Sequence, residues 1–432
     1  MADKWIPTSH VFLASSLLAL GYEPILIDDR FSRERTLSLL ARHLDDALLV
    51  GIGTATGSQL RNAQDLARWC KEKRPDVPVV FGGPFPSAKP DLMLESPYVD
   101  AVVTGQGEWA LPYLCESFHE GVVRGQRVNI DNLPPLPYAD REFMRVKDYL
   151  NPYTVALNFA TSSGCVGHCG FCYWHEDYGY SRFSAGRVGR NLELLVDAFG
   201  IENVQFDDGT FFVGQKRTME IVEAIAGLGI RWRANGRVDT LASFREGDWW
   251  RIAEAGCHLI HIGLEHVSGR ILALMDKRID PVGCLPIVRR AKEVGIGVRF
   301  HLLLGNPTET VEDLEAVGEW LAQMLEAYPD LDYTCNWFTP YPGCAMTEIA
   351  KRHGYREPTT LEGFERLELA NYVALPEDDR EIIKETSPWE VDYRVPWFTD
   401  EENAEYMQTF RRVIPQRGTI ETTGGKRDEI YA

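Results

Sequence analysis

Short apolar runs alternate with amphipathic segments along residues 1–120 of the chain. Several runs are rich in β-branched residues and end in glycine, while the longer segments carry apolar residues at helical spacing. The predicted strands are Pro24–Ile27, Ala47–Ile52, Val77–Phe81 and Asp100–Val103, and the predicted helices are Val11–Leu20, Thr36–Leu44, Ser58–Lys73, Lys89–Glu95 and Glu108–Phe118. This alternation predicts a doubly wound, Rossmann-like parallel sheet whose ligand lies outside the carboxyl ends of the strands. No strand precedes the first helix, so the opening strand of such a sheet is expected to be missing.

A second alternating region follows a proline-rich segment. Residues 121–151 include Asn132–Pro137, which cannot continue a helix or a central strand, and are predicted to be a linker. In residues 152–356 the predicted strands are Ala156–Ala160, Val204–Phe206, Arg231–Ala234, Leu259–Gly263, Gly297–Leu304 and Leu331–Phe338. Six such β/α units predict a partial (β/α)6 TIM-type barrel. Residues 357–414 are predicted to form a small C-terminal helical element on the substrate side of the barrel, and residues 415–432 a flexible tail.

Composition and charge limit the classes of molecule that these domains are expected to bind. The chain has 432 residues and a net charge of −19, without the clustered Lys and Arg that nucleic-acid binding needs, so small molecules are the expected partners. No stretch is long and apolar enough to cross a membrane. The nine cysteines are odd in number and mostly scattered, so we expect a reducing cytoplasm rather than a disulfide framework.

One group of cysteines is not scattered. Cys165, Cys169 and Cys172 stand in a glycine-rich loop directly after a predicted strand, too close in sequence to form useful disulfides with each other. Their spacing indicates metal ligation, and three ligands without a nearby fourth cysteine leave one position open for chemistry. A structural zinc site remains an alternative, because His175 could complete a Cys3His set.

The Cys-x3-Cys-x2-Cys pattern resembles the signature of the radical S-adenosylmethionine (SAM) superfamily. The resemblance implies that the three thiolates hold a [4Fe–4S] cluster, that SAM binds its open iron, and that Phe171 packs near the adenine. Residues that the resemblance places near SAM follow the predicted barrel strands: Asp207 and Asp208 near the methionine amino group, Glu265 of Gly263-Leu264-Glu265 at the ribose, and Gly305, Pro307 and Glu309 beside the adenine.

Other residues at the same strand ends have open roles. Asp207 and Asp208 could instead cap a helix, and for Thr308 and Thr310 capping is the better interpretation. His266, which follows Glu265, is either an acid–base group or ligand, or a histidine held by a neighbouring hydrogen bond. Cys344 lies close to the predicted barrel mouth, although most unpaired cysteines are inert and buried.

The glycine-rich strand ends of residues 1–120 resemble the cobalamin-binding domain that precedes the barrel in one large radical SAM class. The residues that carry this resemblance, and that it implies for cobalamin binding, are Thr54, Ser58, Leu60, Gly82, Gly83, Gly105, Gly107 and Glu108. The Asp-x-His-x-x-Gly motif that supplies a cobalt ligand in some cobalamin proteins is absent. His10 is a possible substitute, but an ordinary surface histidine is the more common case. The sheet could also be a degenerate scaffold.

These resemblances together imply a cytoplasmic cobalamin-dependent radical SAM enzyme, similar to the class B methyltransferases. The expected activity is methylation of an unactivated carbon of a small-molecule substrate, with electrons from a donor such as flavodoxin or ferredoxin. A cobalamin-dependent cyclase or rearrangement enzyme without methyl transfer is the first alternative. A zinc or iron–sulfur protein with a regulatory role is the second.

Overall fold

The structure is a computed structural model that describes residues 5–139, 144–150, 154–173, 179–367 and 395–414. Its first domain is built on a four-stranded parallel sheet with the strand order β1-β2-β3-β4. The strands are β1 Val50–Gly53, β2 Val79–Gly82, β3 Ala101–Thr104 and β4 Gly121–Arg124. The helices of this domain are α1 Thr8–Leu18, α2 Arg33–His43, α3 Ser58–Lys73, α4 Pro84–Ala88, α5 Pro90–Leu94 and α6 Gly107–Glu116.

Helices cover both faces of this sheet. On one face, Val79 and Phe81 pack into the same buried cluster as Leu60 of α3. On the other face, Val80 and its neighbours on β3 pack with Leu114 of α6. Because successive strand residues point to opposite faces, a sheet buried on both sides reads as a continuous apolar run. The predicted doubly wound sheet is confirmed.

Two sequence predictions for this region are wrong. Pro24–Ile27 is not a strand, since no described strand lies beside it and an extended segment needs a pairing partner. Gly121–Arg124, which was predicted to begin the linker, forms β4 and pairs in parallel with β3. The short Val122–Val123 run gave too weak a pattern to reveal this strand beside the proline-rich stretch.

The second domain is a six-stranded parallel sheet that forms the predicted partial barrel. Its strands follow each other in chain order, and each lies within two residues of its predicted bounds: β5 Ala156–Phe159, β8 Asn203–Phe206, β9 Arg231–Gly236, β10 Cys257–Glu265, β11 Gly297–Leu304 and β12 Asp332–Trp337. A two-stranded antiparallel hairpin, β6 Ser162–Ser163 with β7 Ser181–Arg182, stands beside the barrel.

Helices surround the barrel on its outer side. They are α7 Ala185–Phe199, α8 Gln215–Ile225, α9 Val238–Leu241, α10 Glu246–Glu254, α11 Gly269–Leu274, α12 Cys284–Glu293, α13 Val311–Ala327 and α14 Ala345–Arg352. Short 3-10 helices occur at Leu44–Asp46, Ile130–Asn132, Pro137–Ala139, Val146–Asp148 and Pro281–Gly283. None of the helices in the described residues is long and apolar enough to cross a membrane.

The C-terminal part, predicted as one element over 357–414, packs against both domains. Helix α15, Leu361–Glu365, packs on the first domain, where the Phe364 and Phe85 rings are 4.9 Å apart. Helix α16, Asp400–Val413, packs on α13 at the β12 edge of the barrel. Residues 368–394 of the predicted element lie outside the described residues, and so does the predicted tail 415–432.

Candidate active site

The cysteine loop begins where β5 ends and is fixed by backbone contacts. Its first glycine, Gly164, has φ +75° and packs on the backbone of Gly179, where a side chain would collide. Further along, the Gly170 N–H donates to the carbonyl of Met275 at 2.7 Å, and the Gly170 carbonyl accepts from the Met346 N–H at 2.8 Å. The loop is therefore tied to the residue that follows α11 and to the first turn of α14.

The thiols of Cys165 and Cys169 both lie near Gly167. A Cβ atom on Gly167 would lie 3.6 Å from Cys165 Sγ and 3.7 Å from Cys169 Sγ. Within the described residues, no three His, Cys, Asp or Glu side chains are gathered around one point as a single metal ion requires. Thiolates that each bind a different iron of a cluster can stand further apart, so the loop suits a cluster better than one tetrahedral zinc. His175, the fourth ligand of the zinc alternative, lies outside the described residues.

Two cationic side chains flank the Cys169 thiol. Arg237 Nη1 lies 3.6 Å from Cys169 Sγ, and Asp239 accepts two hydrogen bonds of 3.0 Å from the same guanidinium. Lys277 is only 5% exposed. Burial raises the pKa of the Cys169 thiol, while the charges of Lys277 and Arg237 act against that rise. Cations here offset the negative charge that a thiolate-bound cluster brings, so the residue types fit the implied cluster.

Glu265 lies near the Cys169 thiol and is half of a buried ion pair, and its contact with the SAM ribose stays a prediction. It follows a bulge at Gly263 and has φ +66°, which is uncommon for a residue with a side chain. Lys277 Nζ donates to Glu265 Oε1 at 2.7 Å and lies 5.9 Å from the centre of the Phe171 ring. A Cβ on Gly263 would lie 2.5 Å from that carboxylate oxygen, so the pair requires glycine there. Sequence reasoning missed Lys277, because nothing in the local pattern marks it as a partner of Glu265.

The two aspartates after β8 have different roles. Asp207 is exposed at the barrel mouth, where its Oδ2 accepts from Asn158 Nδ2 at 2.7 Å. Asp208 is 1% exposed and accepts hydrogen bonds from the Thr161 N–H and hydroxyl and from the Ser162 hydroxyl. The predicted SAM contact therefore stays a prediction for Asp207. For Asp208 it is corrected, because its oxygens hold the chain that leads into the cysteine loop.

The side chain of Glu309 is turned into the Gly305–Thr310 turn and stabilises it, instead of pointing toward a ligand. Glu309 is 3% exposed, and its Oε2 accepts from the Asn306 N–H at 2.8 Å and from Asn306 Nδ2 at 2.7 Å. Its Oε1 accepts from the Tyr406 hydroxyl, which in turn accepts from the Gly305 N–H at 3.1 Å. The adenine-side role of Glu309 stays a prediction and would be indirect, since the side chain holds Asn306 and, through Tyr406, the Gly305 N–H. Tyr406, on α16, was not predicted.

His266 is a held histidine rather than an exposed acid–base group. It is fully buried, and its Nδ1 accepts from the Ser268 N–H at 3.0 Å, so in the neutral ring the proton is on Nε2. That Nε2 lies 3.5 Å from Glu309 Oε1. Of the two predicted capping threonines, Thr310 caps α13 in a capping box with Asp313. Thr308 does not, because its hydroxyl accepts from Arg270 instead.

Cys344 is 3% exposed at the start of α14. Close by, Tyr341 packs edge-on against Tyr173 with 5.4 Å between ring centroids, and burial raises the pKa of the Tyr341 hydroxyl. Because Tyr173 follows Cys172 directly, this aromatic pair connects the cysteine loop to the end of β12. A catalytic role for Cys344 stays a prediction.

The carboxyl edge of the first sheet carries the turns predicted for cobalamin. The Thr54 N–H donates to the Gly82 carbonyl at 3.0 Å, and Gly83 has φ +104° with no room for a Cβ against the Thr54 backbone. Gly105, with φ +72°, donates its N–H to the Ser87 hydroxyl at 3.0 Å. These turns expose backbone at one edge, the surface that a flat corrin needs.

The remaining residues predicted for cobalamin differ in how deeply they are buried. Leu60 is fully buried in the core between α3 and the sheet, so its predicted cofactor contact is corrected to a packing role. Gly107 lies under Leu13 of α1, and a Cβ on Gly107 would lie only 2.8 Å from Leu13 Cδ2. Burial raises the pKa of Glu108 in the first turn of α6. Ser58, the first residue of α3, stays at the predicted edge.

The carboxyl edge of the first sheet faces the cysteine loop across a narrow cleft. Its walls are Ala55, Thr56, Pro84 and Phe85 from the first domain and Tyr173, Tyr341 and Pro342 from the barrel. The two sets of predicted cofactor residues, far apart in the sequence, are therefore neighbours in space. A reactive centre held by either domain would open onto the same cleft.

Comparisons with known proteins agree with this arrangement. Residues 2–114 match the family model described as the B12 binding domain, and residues 159–321 match that of the Radical SAM superfamily. An uncharacterized methyltransferase of Pyrococcus horikoshii, PH0819, is 31% identical over 80% of this chain and 78% of its own. The anaerobic magnesium-protoporphyrin IX monomethyl ester cyclase of Rubrivivax gelatinosus is 24% identical over 79% and 66%.

A solved structure shares the fold. The radical SAM methyltransferase TsrM of Kitasatospora setae, with cobalamin and a [4Fe–4S] cluster bound, superposes with a TM-score of 0.66 at 19% identity, covering 82% of this chain and 77% of that one. The sequence expectations of an enzyme and of its three cofactors are confirmed, and the regulatory zinc or iron–sulfur alternative is not supported. The chain belongs to the cobalamin-dependent radical SAM family, whose cofactors are a [4Fe–4S] cluster, SAM and cobalamin.

Proposed function

We propose that the protein methylates an unactivated carbon of a small, hydrophilic molecule bound between the two domains. When bound, the cluster and SAM supply a carbon-centred radical, and cobalamin supplies the methyl group. The observation that carries the proposal is the cleft in which Tyr173, next to Cys172, faces Ala55 and Thr56 at the carboxyl edge of the first sheet. An acceptor held there is within reach of both cofactors without leaving the protein.

The inward-facing residues of the barrel support a hydrophilic acceptor. On β10 and β11, His261 and His301 alternate with apolar residues such as Ile260 and Phe300, which pack toward the outer helices. His261 Nδ1 lies 3.0 Å from His301 Nε2, and His301 Nδ1 lies 2.7 Å from the Thr334 hydroxyl. A lumen lined by such groups binds partners that offer hydrogen bonds and disfavours a broad apolar ring system such as a porphyrin.

The chain's own residues would position SAM and the cluster. Asp207 and Glu265 offer carboxylate oxygens at the mouth for the amino group and the ribose diol, and the Gly305–Thr310 backbone offers a surface for the adenine. Arg237 and Lys277 hold positive charge beside the cysteine loop. Reducing equivalents would come from a flavodoxin or ferredoxin in a reducing cytoplasm, which suits a chain whose nine cysteines, all within the described residues, form no disulfide.

Anaerobic reconstitution with cobalamin and CD3-labelled SAM tests the proposal. Incubation with a metabolite extract, followed by partition into aqueous and organic phases, should place the deuterated methyl group in aqueous-phase compounds, with formation of S-adenosylhomocysteine and 5′-deoxyadenosine. Labelled compounds in the organic phase alone would contradict the hydrophilic acceptor.

A cyclase is the second candidate, because the relative from Rubrivivax gelatinosus carries that activity in its name. Formation of 5′-deoxyadenosine without S-adenosylhomocysteine would favour this candidate. No cleavage of SAM in the fully loaded enzyme would contradict both.

A further inference from the structure

His10 is half-buried at the carboxyl edge of the first sheet, where the turns predicted for cobalamin lie. It stands in the first turn of α1, and the tip of its ring faces Gly53 at the carboxyl end of β1. A Cβ on Gly53 would lie 3.2 Å from His10 Cε1 and 3.3 Å from Nε2. One turn later on α1, Leu13 packs over Gly107, so this end of the helix lies across the predicted cofactor turns.

One nitrogen of this ring is oriented and the other is available. His10 Nδ1 lies 3.4 Å from the Ser9 hydroxyl, whereas no described residue forms a hydrogen bond with Nε2. Ligating histidines commonly use one nitrogen for the metal while the other is held by a neighbouring polar group. Ser9 would have that second role here.

The surroundings also favour the neutral ring that a metal needs. Burial lowers the pKa of His10, the Asp28 carboxylate acts against this, and the Arg30 guanidinium adds to the lowering. Asp28 and Arg30 are engaged with each other through hydrogen bonds of 2.6 and 2.9 Å, so neither is dedicated to the histidine. A neutral imidazole keeps a lone pair on one nitrogen.

We propose that His10 Nε2 is a protein ligand to the cobalt of bound cobalamin. His10, a residue of α1, would take the place of the histidine of the Asp-x-His-x-x-Gly motif, which this chain lacks. Coordination requires only the Nε2 lone pair, and it displaces a water molecule or the cofactor's own benzimidazole from cobalt. Gly53 contributes by leaving the tip of the ring uncovered.

Electron paramagnetic resonance of the cob(II)alamin-loaded, full-length protein tests the assignment without any substrate. Nitrogen on cobalt splits each cobalt line into three for 14N and into two for 15N. The parent protein should show triplets, and protein made with 15N-histidine should show doublets. Triplets that persist with 15N-histidine would assign the nitrogen to benzimidazole, and the absence of any splitting would also overturn the proposal.

Variants locate the ligand within the chain. His10→Ala should lose the protein-derived splitting, while the matched His119→Ala, an exposed histidine of the same domain, should keep it. If His10→Ala no longer retains cobalamin, the Gly53→Ala variant tests the assignment instead. Its Cβ would press on the tip of the His10 ring, so the splitting should be lost. Gly51→Ala, whose Cβ would make only ordinary contact with Leu111 at 3.9 Å, should keep it. Doublets in 15N-histidine His10→Ala or Gly53→Ala protein would refute the assignment.

Discussion

At the residue scale, the site is a set of charged side chains arranged around one thiol. Cys169 has Arg237 on one side and Lys277 on the other, and each cation has its own carboxylate, Asp239 or Glu265. A loop of three thiolates would be strongly repulsive without such compensation. The same arrangement gives each residue more than one role, so single substitutions need readouts that separate them.

Replacing Cys165, Cys169 or Cys172 by alanine should abolish cluster loading and SAM cleavage, because each thiolate is predicted to bind a different iron. Iron content and 5′-deoxyadenosine yield measure the two effects. Cys284→Ala is a suitable control, since Cys284 is a fully buried cysteine on α12, outside the loop. Full activity in any of the three loop variants would remove that residue from the cluster.

Replacing Glu265 by glutamine should weaken SAM binding while iron content stays at the parent level. Losing one charge-assisted hydrogen bond to the ribose costs about 1.5–3 kcal/mol, roughly ten- to a hundredfold in affinity. The variant also leaves Lys277 buried beside a neutral amide, so the protein should melt earlier.

The double variant Glu265→Gln/Lys277→Met separates these effects. It should recover thermal stability, because the uncompensated charge is gone, but not SAM affinity. If SAM affinity is unchanged in Glu265→Gln and only the melting temperature falls, Glu265 serves the ion pair alone.

At the element scale, α16 and the Gly305–Thr310 turn act as a unit. The Tyr406 hydroxyl reaches from the helix into the turn, where it donates to Glu309 and accepts from the Gly305 N–H. A turn that follows a barrel strand would otherwise depend on its own short-range contacts. The C-terminal helix therefore stabilises a segment that the family uses beside the adenine.

Replacing Tyr406 by phenylalanine should raise the KM for SAM several-fold and lower the unfolding free energy by about 1–3 kcal/mol, since two buried polar groups lose a partner. Cluster loading should not change. SAM-cleavage kinetics and thermal unfolding measure both effects. Met407→Leu, a volume-conserving change at the neighbouring buried position, should leave both nearly unaltered. An unaltered KM in Tyr406→Phe would show that the turn holds its shape without α16.

At the scale of the whole molecule, the two domains are joined by an ion-pair bridge. Glu357 Oε2 accepts from Lys89 of the first domain at 2.9 Å and pairs with Lys351 of α14 at 2.7 Å. Burial favours the neutral acid, but the two lysines outweigh it and hold the pKa of Glu357 below its usual value of 4.5. Because the folded pKa is lowered, the bridge stabilises the protein fully above that value and loses its contribution as the pH falls through the folded pKa.

Replacing Glu357 by glutamine should therefore destabilise the apoprotein at neutral pH by about 1–3 kcal/mol, the range for hydrogen bonds to charged groups. The difference from the parent should vanish as the pH falls below 4.5. Thermal unfolding across that range measures it. Glu348→Gln is the matched control, because Glu348 pairs with Lys351 but is 55% exposed and does not reach Lys89. A pH-independent difference in Glu357→Gln would mean that the carboxylate charge is not responsible.

The sequence by itself determined the local features of this protein. The alternation of apolar runs and helical segments located all six barrel strands, because a strand buried by outer helices needs apolar residues whatever its neighbours are. The spacing of Cys165, Cys169 and Cys172 predicts the cluster loop, since ligands within one short loop need no distant partner. The glycine turns at Gly82–Gly83 and Gly105 predict the cobalamin edge for the same reason.

Tertiary structure decided what depends on contacts between distant segments. Whether Pro24–Ile27 or Gly121–Arg124 is a strand depends on a neighbour in the sheet, and only the second one has it. Glu309 and His266 lie in segments that resemble a SAM site, yet both side chains turn inward. Tyr406, 97 residues further along the chain, holds Glu309, and Glu309 in turn lies beside His266. The sequence offered His10 only as a possible substitute ligand, and its position over Gly53 depends on how α1 packs on the first sheet. Partners of this kind carry no local signal, since burial and hydrogen bonding across the fold are set by packing rather than by the order of residues.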